Sequence, residues 1–259
     1  MKKLVLVTAI AAATFGAVST AQAVEVTTTA NANVTTDYKF RGISQTNAGP
    51  AFQGGFDAAF SNGFYIGNWN SNVNFPGVGS GLSSGSAGLE MDFYGGYAGS
   101  FANGIGYDVG ALYYFYEGVA IAPGAPELDT LEAYGKLTYG PVYAKLSYAL
   151  SEDYFGLTGV NNSTDLSGST YLDLGYTLPL SDKLSLTAHY GLTSYDKDLR
   201  VNNVNYDSYS DYSVGATYAI SPKYSVTAAY IAVDDDGEKI FANEQLTDGS
   251  VVVTFSAKF

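Results

Sequence analysis

Alternation along the chain would turn one set of ionisable side chains toward a common interior: Asp37, Lys39, Arg41, Asp57, Glu90, Asp92, Asp108, Glu132, Lys136, Lys145, Asp173, His189 and Asp211. Lys183 and Lys258 share that parity. Carboxylates facing amines across a narrow passage make a transverse field that orders water and selects small polar or charged solutes. The same pairs would also serve simply to fill and brace a small barrel. Enzymatic chemistry has less to stand on. His189 is the single histidine, and a lipase or protease would need it beside a nucleophilic serine. Ser185 and Thr187 share its inward parity, which favours an imidazole lining the interior over a site facing lipid. No paired-carboxylate motif stands out. The run Asp234 to Glu238 invites a calcium reading, but with Gly237 as the loop glycine the first ligand position falls on Ala232 and the closing glutamate position on Asn243. It reads as a solvated acidic loop, and no cofactor or metal is implied.

Such side chains must be carried by an exported, strand-rich scaffold. The opening residues pair Lys2 and Lys3 with an apolar run from Leu4 to Val18 and then Ala21-Gln22-Ala23, the layout of a secretory signal over residues 1–23. The mature chain, 24–259, then carries a formal charge of −15, against −13 with the two lysines, which disfavours nucleic acid as a partner. The chain has no cysteine, so disulfides and thiolate chemistry are excluded. It holds 23 Tyr, 14 Phe and 30 Gly with 14% charged residues, a composition of strands and turns.

Period-2 alternation runs through the sequence. At the C-terminus Val251, Val253, Phe255, Ala257 and Phe259 share one face, and Thr254, Ser256 and Lys258 the other. Leu89, Met91, Phe93 and Tyr97 alternate with Glu90, Asp92, Tyr94 and Gly96, which puts the acids on the watered face. Twelve segments follow this beat, near 33–43, 50–61, 63–74, 89–100, 105–116, 128–140, 141–154, 169–180, 182–195, 209–220, 222–233 and 248–259. Each is close to the roughly 9 to 11 residues of a tilted membrane strand. Short turns alternate with longer connections near 44–49, 75–88, 117–127, 155–168, 196–208 and 234–247. A soluble sandwich would also alternate, but with turns of mixed length at both ends. The pattern predicts an all-β fold, a transmembrane antiparallel up-and-down β-barrel of about twelve strands. Tyr38, Phe40, Tyr65, Tyr107, Tyr139, Tyr190, Tyr218 and Tyr224 are expected in its interfacial girdles.

The stretch from Asp37 to Phe75 adds a resemblance. Asp37, Tyr38, Phe40-Arg41-Gly42-Ile43-Ser44-Gln45, Pro50, Gln53-Gly54-Gly55, Gly63-Phe64-Tyr65, Trp69 and Ser71-Asn72-Val73 resemble the N-terminal signature of the TorF-type family of outer-membrane porins. The chain departs from it in carrying only Trp69 where members often have a longer Tyr/Trp set after the first hairpin. The resemblance implies a porin-like channel and supplies no substrate.

The leading expectation is therefore a monomeric outer-membrane barrel of a Gram-negative bacterium, passing small hydrophilic solutes passively. Its loops are acidic, with Glu127, Asp129, Glu152, Asp165, Asp196, Asp198 and Asp234 to Asp236 among them, so the mouth is expected to favour cations mildly. The alternative is a closed structural or surface-interaction barrel without conductance. Expected partners are outer-membrane lipid and lipopolysaccharide, the solutes themselves, and the barrel assembly machinery through the C-terminal strand ending at Phe259.

Overall fold

Strands whose alternate residues are apolar can satisfy every backbone group inside a bilayer only by closing on themselves. The computed structural model describes residues 24–75, 82–84, 87–117, 120–121, 127–157 and 165–259, and in it they do so. Residues 1–23, read as a secretory signal, lie outside the described residues, as do parts of the expected connections 75–88, 117–127 and 155–168.

Twelve antiparallel strands close the barrel: β1 (Val26–Thr35), β2 (Ala51–Phe60), β3 (Phe64–Phe75), β4 (Ala87–Ser100), β5 (Gly106–Glu117), β6 (Thr130–Tyr139), β7 (Val142–Ala149), β8 (Thr170–Pro179), β9 (Leu184–Val201), β10 (Val204–Ala219), β11 (Tyr224–Val233) and β12 (Ser250–Lys258). Each pairs with its neighbours in sequence, and β1 pairs with β12 from Asn31 opposite Lys258 to Thr35 opposite Thr254. Backbone bonds between Ala30 and Phe259 extend that seam.

The exterior is apolar. Phe52, Phe56, Phe64, Ile66, Phe93, Val109, Leu137, Val142, Leu146, Leu174, Leu186, Val214, Val251 and Phe255 are all exposed on the outward parity, while Glu90, Asp92, Glu132 and Asp211 on the inward parity are buried. Tyr139, Tyr218 and Tyr224 are exposed near strand ends, as girdle residues must be, and Tyr190 is exposed farther along β9.

Three expectations are corrected. First, the opening strand is Val26–Thr35, not 33–43. Its outward positions Thr28, Ala30 and Ala32 are only weakly apolar, so the alternation there is faint, whereas residues 37–43 alternate strongly for another reason. They form an inward hairpin, Lys39–Phe40 against Ile43–Ser44, with Arg41 and Gly42 at its tip, both at positive φ (48° and 80°). Second, most of the connection expected at 196–208 is strand, because β9 and β10 continue past a register shift after Ser194 to a turn at Asn202 and Asn203. Third, the acidic run keeps Asp235, Asp236 and Glu238 exposed to solvent, as expected, but it is not a loop. Asp234 caps the helix α1 (Asp235–Phe241), accepting from the Gly237 N–H at 2.9 Å, and a shorter helix α2 (Glu244–Thr247) follows. Ile240, Phe241 and Leu246 are buried, so the apolar side of this connection points into the barrel mouth.

Candidate functional site

The interior has two storeys. The one toward the long connections is filled. Ile43, Tyr114, Tyr116, Leu128, Tyr154, Phe155, Leu157, Leu166, Tyr195, Leu199, Tyr209, Ile240, Phe241 and Leu246 form a continuous buried cluster contributed by the wall, the connections and the inward hairpin. Phe40 packs edge-on against Tyr114 and Phe155, at ring centroid distances of 5.4 and 5.1 Å. Tyr38 meets Trp69 edge-on at 5.4 Å and donates to Glu90 Oε1 at 2.7 Å. The girdle role expected for Tyr38 and Phe40 is thus corrected, and so is that of Tyr65, which is buried inside.

Arg41 is the centre of this storey. It is not on a wall strand, as its alternation with Lys39 suggested, but at the hairpin tip. Its Nη2 donates to both Glu132 oxygens at 2.7 and 2.8 Å, and its Nη1 to the Tyr154 hydroxyl. The guanidinium lies 4.3 Å from the centroid of the Tyr171 ring and 4.8 Å from that of Phe40. Tyr209 donates to the Arg41 carbonyl at 3.2 Å. Burial pulls against the charge, but Glu132 outweighs it and holds the guanidinium pKa above its ordinary value. The hairpin is braced internally too: Ser44 and Thr46 hydroxyls donate to Asp37 Oδ1 at 2.6 and 3.0 Å, and Lys39 donates to the Asp248 carbonyl at 2.8 Å. Desolvation lowers the Lys39 pKa, with Asp37 and Asp248 opposing. Asp37, Lys39 and Arg41 thus belong to the plugging hairpin, a correction of their expected place on a pore-lining strand.

The second storey is polar. Register places Asp108, Lys136, Lys145, Asp173, Gly191 and Asp211 side by side across six consecutive strands, β5 to β10. At Gly191 the belt has no side chain, and His189 and Tyr171 close over it. His189 Nδ1 lies 2.9 Å from Asp173 Oδ1 and its Nε2 2.7 Å from Asp211 Oδ1, while Tyr171 donates to Asp211 Oδ2 at 3.0 Å. Lys136 and Lys145 lie each 4.4 Å from the centroid of a tyrosine ring, Tyr143 and Tyr134 respectively. Tyr65 reaches Asp108 at 2.6 Å, and Tyr94 reaches Asp57 at 2.6 Å. Asp92, beside Glu90 and close to this tier, is buried.

The belt was traceable through its charges; the tyrosines that organise it were not. Tyr94 on β4 crosses Gly67 on β3 to reach Asp57 on β2, and Tyr171 on β8 crosses Gly191 on β9 to reach Asp211 on β10. A Cβ at Gly67 would lie 2.3 Å from the Tyr94 ring, and one at Gly191 2.2 Å from Asp211 Oδ2, so each glycine is the space the tyrosine needs. The sequence signal was an inward glycine one strand away from an inward tyrosine, which becomes readable only once register is known. The hydrogen bonds of His189 go to Tyr171, Asp173 and Asp211, not to a serine. Among the described residues no group of three or more His, Asp or Glu is arranged to hold a metal.

Residues 19–259 match the family described as "Bacterial protein of unknown function (Gcw_chp)". The chain belongs to this family. No curated protein matches the Gcw_chp chain. Among solved structures it is similar to the NanC porin in a rhombohedral crystal form, with a TM-score of 0.54 and 13% identity over 90% of this chain and 99% of that one. It is similar also to the KdgM porin, with a TM-score of 0.52 and 7% identity over 89% and 98% of the two chains. At such identities the likeness is one of fold: a closed twelve-stranded barrel. That fold and the apolar outer band place this Gcw_chp chain in the outer membrane of a Gram-negative bacterium.

Proposed function

We propose that the chain is a porin-like passive channel for small hydrophilic solutes, closed at its outer end by its own Asp37–Thr46 hairpin and mildly cation-favouring when open. The observation that carries this reading is the charged belt beneath the plug. Across six strands Lys136 and Lys145 stand side by side between Asp108 and Asp173, with Asp211 beyond Gly191, and His189 and Asp173 are partly open to the interior, their side chains 23% and 20% exposed. An interior meant only to be filled is better filled with apolar side chains, because buried charges repay their desolvation poorly. A lining of water-solvated charge is useful to a passing polar solute. The NanC and KdgM neighbours are called porins, and the TorF-type resemblance of residues 37 to 75 points the same way. Carboxylates outnumber amines along the belt and at the mouth, which supports the cation preference.

The second reading, a closed barrel that acts through its surface, is favoured by the plug itself, since among the described residues the cavity around Arg41, Ile43 and Tyr209 is small, about 30 Å3. Planar-bilayer recording separates the two. Replacing Tyr38–Gln45 by a short Gly/Ser linker is expected to give stepwise, cation-selective conductance. A folded, heat-modifiable variant that stays silent in salt would refute the channel, and reversal toward anions would refute the selectivity. In the cell, lipopolysaccharide around the acidic loops and assembly through the strand ending at Phe259 complete the proposal.

A further inference from the structure

The outward face of β3 departs from the apolar pattern of the strands beside it. Phe64 and Ile66 are lipid-facing and exposed, and the same parity then presents Asn68, Asn70 and Asn72, while Tyr65, Ser71 and Val73 on the other parity are buried inside. On the neighbouring strands the outward residues level with these amides are apolar or small. Asn68 is flanked by Phe56 and Phe93, Asn70 by Gly54 and Met91, and Asn72 is level with Leu89. At about 3.3 Å per residue and a tilt near 40°, Asn70 stands ~15 Å from the strand's short-turn end, near the middle of an apolar band about 25 Å tall. The amides are therefore not in the headgroups.

Hydrocarbon offers an amide no partner. Part of the demand is met within the wall. Asn68 Nδ2 donates to the Asp92 carbonyl at 3.0 Å, and Asn70 Nδ2 to the Gly54 carbonyl at 3.2 Å and to Asn68 Oδ1 at 2.6 Å. Asn72 donates to the Pro50 carbonyl and accepts from the Phe52 N–H at 2.7 Å. Asn70 Oδ1, at the centre of the row, has no hydrogen bond among the described residues, and the second protons of Asn68 and Asn72 Nδ2 likewise have no acceptor. Beside the amides a groove of about 400 Å3 crosses the wall. Its floor is the row of small residues Ala257, Ala32 and Gly54, with Asn70 at one end and Phe52 and Phe255 rising at its side.

We infer that β1 to β3 form a homodimer interface, in which a second copy of the chain seats its own Asn row and phenylalanine ridge against this one. A lipid tail would fill the groove but leave the amides unpaired. An amide row is both donor and acceptor, so a twofold axis along the membrane normal beside Asn70 brings Asn70 Oδ1 of one copy toward the spare Nδ2 protons of Asn68 and Asn72 of the other. The same axis directs the Phe52 and Phe56 side chains, 70% and 62% exposed, onto the partner's small-residue floor. This inference replaces the monomer expected from the sequence, and it stands whether or not the barrel conducts.

Because the chain has no cysteine, the test is clean. Asn70→Cys is introduced in the full chain in outer membranes and exposed to a mild oxidant, with Val214→Cys, outward and 61% exposed on the far wall, as the control. A disulfide-linked species of twice the chain mass is expected for Asn70→Cys and not for Val214→Cys. In nanodiscs, mass photometry of the unmodified protein is expected to show dimers, and Asn70→Leu to weaken them at least tenfold while heat-modifiable migration is unchanged. Should Asn70→Cys fail to insert, Asn72→Cys reads the same contact. Equal crosslinking at both walls, a monomer at all concentrations, or a dimer indifferent to Asn70→Leu would each overturn the interface.

Discussion

Removing the Glu132 carboxylate should loosen the plug without harming the barrel. Both Glu132 oxygens accept from Arg41 Nη2, at 2.7 and 2.8 Å, and the two side chains are only 2% and 5% exposed. Glu132→Ala leaves the guanidinium charged and buried, with the Tyr154 hydroxyl and the faces of Phe40 and Tyr171 as its remaining support. Stranding one member of such a pair costs about 3 to 5 kcal/mol. At about 1.4 kcal/mol per factor of ten, that raises the open-to-closed ratio of the hairpin by roughly 10² to 10⁴. Thiol labelling reads that ratio directly. Gln45, 4% exposed on the hairpin, is changed to Cys in the cysteine-free chain, and its modification rate is compared with and without Glu132→Ala. The rate should rise by that factor. Replacing both charges, as in Arg41→Met with Glu132→Leu, should return it toward the starting value, because an apolar pair of similar volume carries no stranded charge. A rate within threefold of the starting value in the single variant would refute the claim that this ion pair holds the hairpin in the lumen.

The remaining expectations concern the wall. Gly191→Ala, whose Cβ would sit 2.2 Å from Asp211 Oδ2 and 2.3 Å from the Tyr171 hydroxyl, should cost about 1 to 3 kcal/mol in urea unfolding from micelles, while Gly135→Ala, with nothing within 4 Å, should cost less than about 1 kcal/mol. Equal losses would show that the tyrosine crossings do not depend on the glycine gap. Val214→Arg on the lipid face should destabilise by about 2 to 4 kcal/mol in lipid vesicles, and a neutral result would mean that Val214 does not face hydrocarbon. Deleting Phe259, whose backbone closes the seam to Ala30, should lower the yield of folded, heat-modifiable barrel in cells, and an unchanged yield would argue against recognition of this end.

How far the sequence could be read follows from which solvent each residue faces. Lipid on one side admits Val251, Val253 and Phe255 and excludes Glu90 and Asp92, which turn inward, so most of the wall was legible as alternation. The same signal misled at residues 37–43. A hairpin lying between an aromatic core and a carboxylate wall also alternates, with Tyr38 and Phe40 between Asp37, Lys39 and Arg41, and period alone cannot tell a wall from a plug. The discriminating feature was Arg41-Gly42, where two successive positive φ values turn the chain back. The weak outward positions of Val26–Thr35 hid the true first strand for the opposite reason. The belt charges were visible one by one. Their order around the barrel depends on cross-strand register, which a single sequence does not carry.

The hairpin has a consequence for the order of assembly. It follows β1 directly, so it is made before the anchors it needs, and those are remote. Glu132 lies 91 residues from Arg41, Tyr154 113 and Tyr209 168. Glu132 and Tyr209 reach it only after β6 and β10 have joined the wall, and the lumen that receives it exists only after β12 has met β1. A segment made before its anchors is thus the last to dock, and a seated Arg41 certifies a finished barrel.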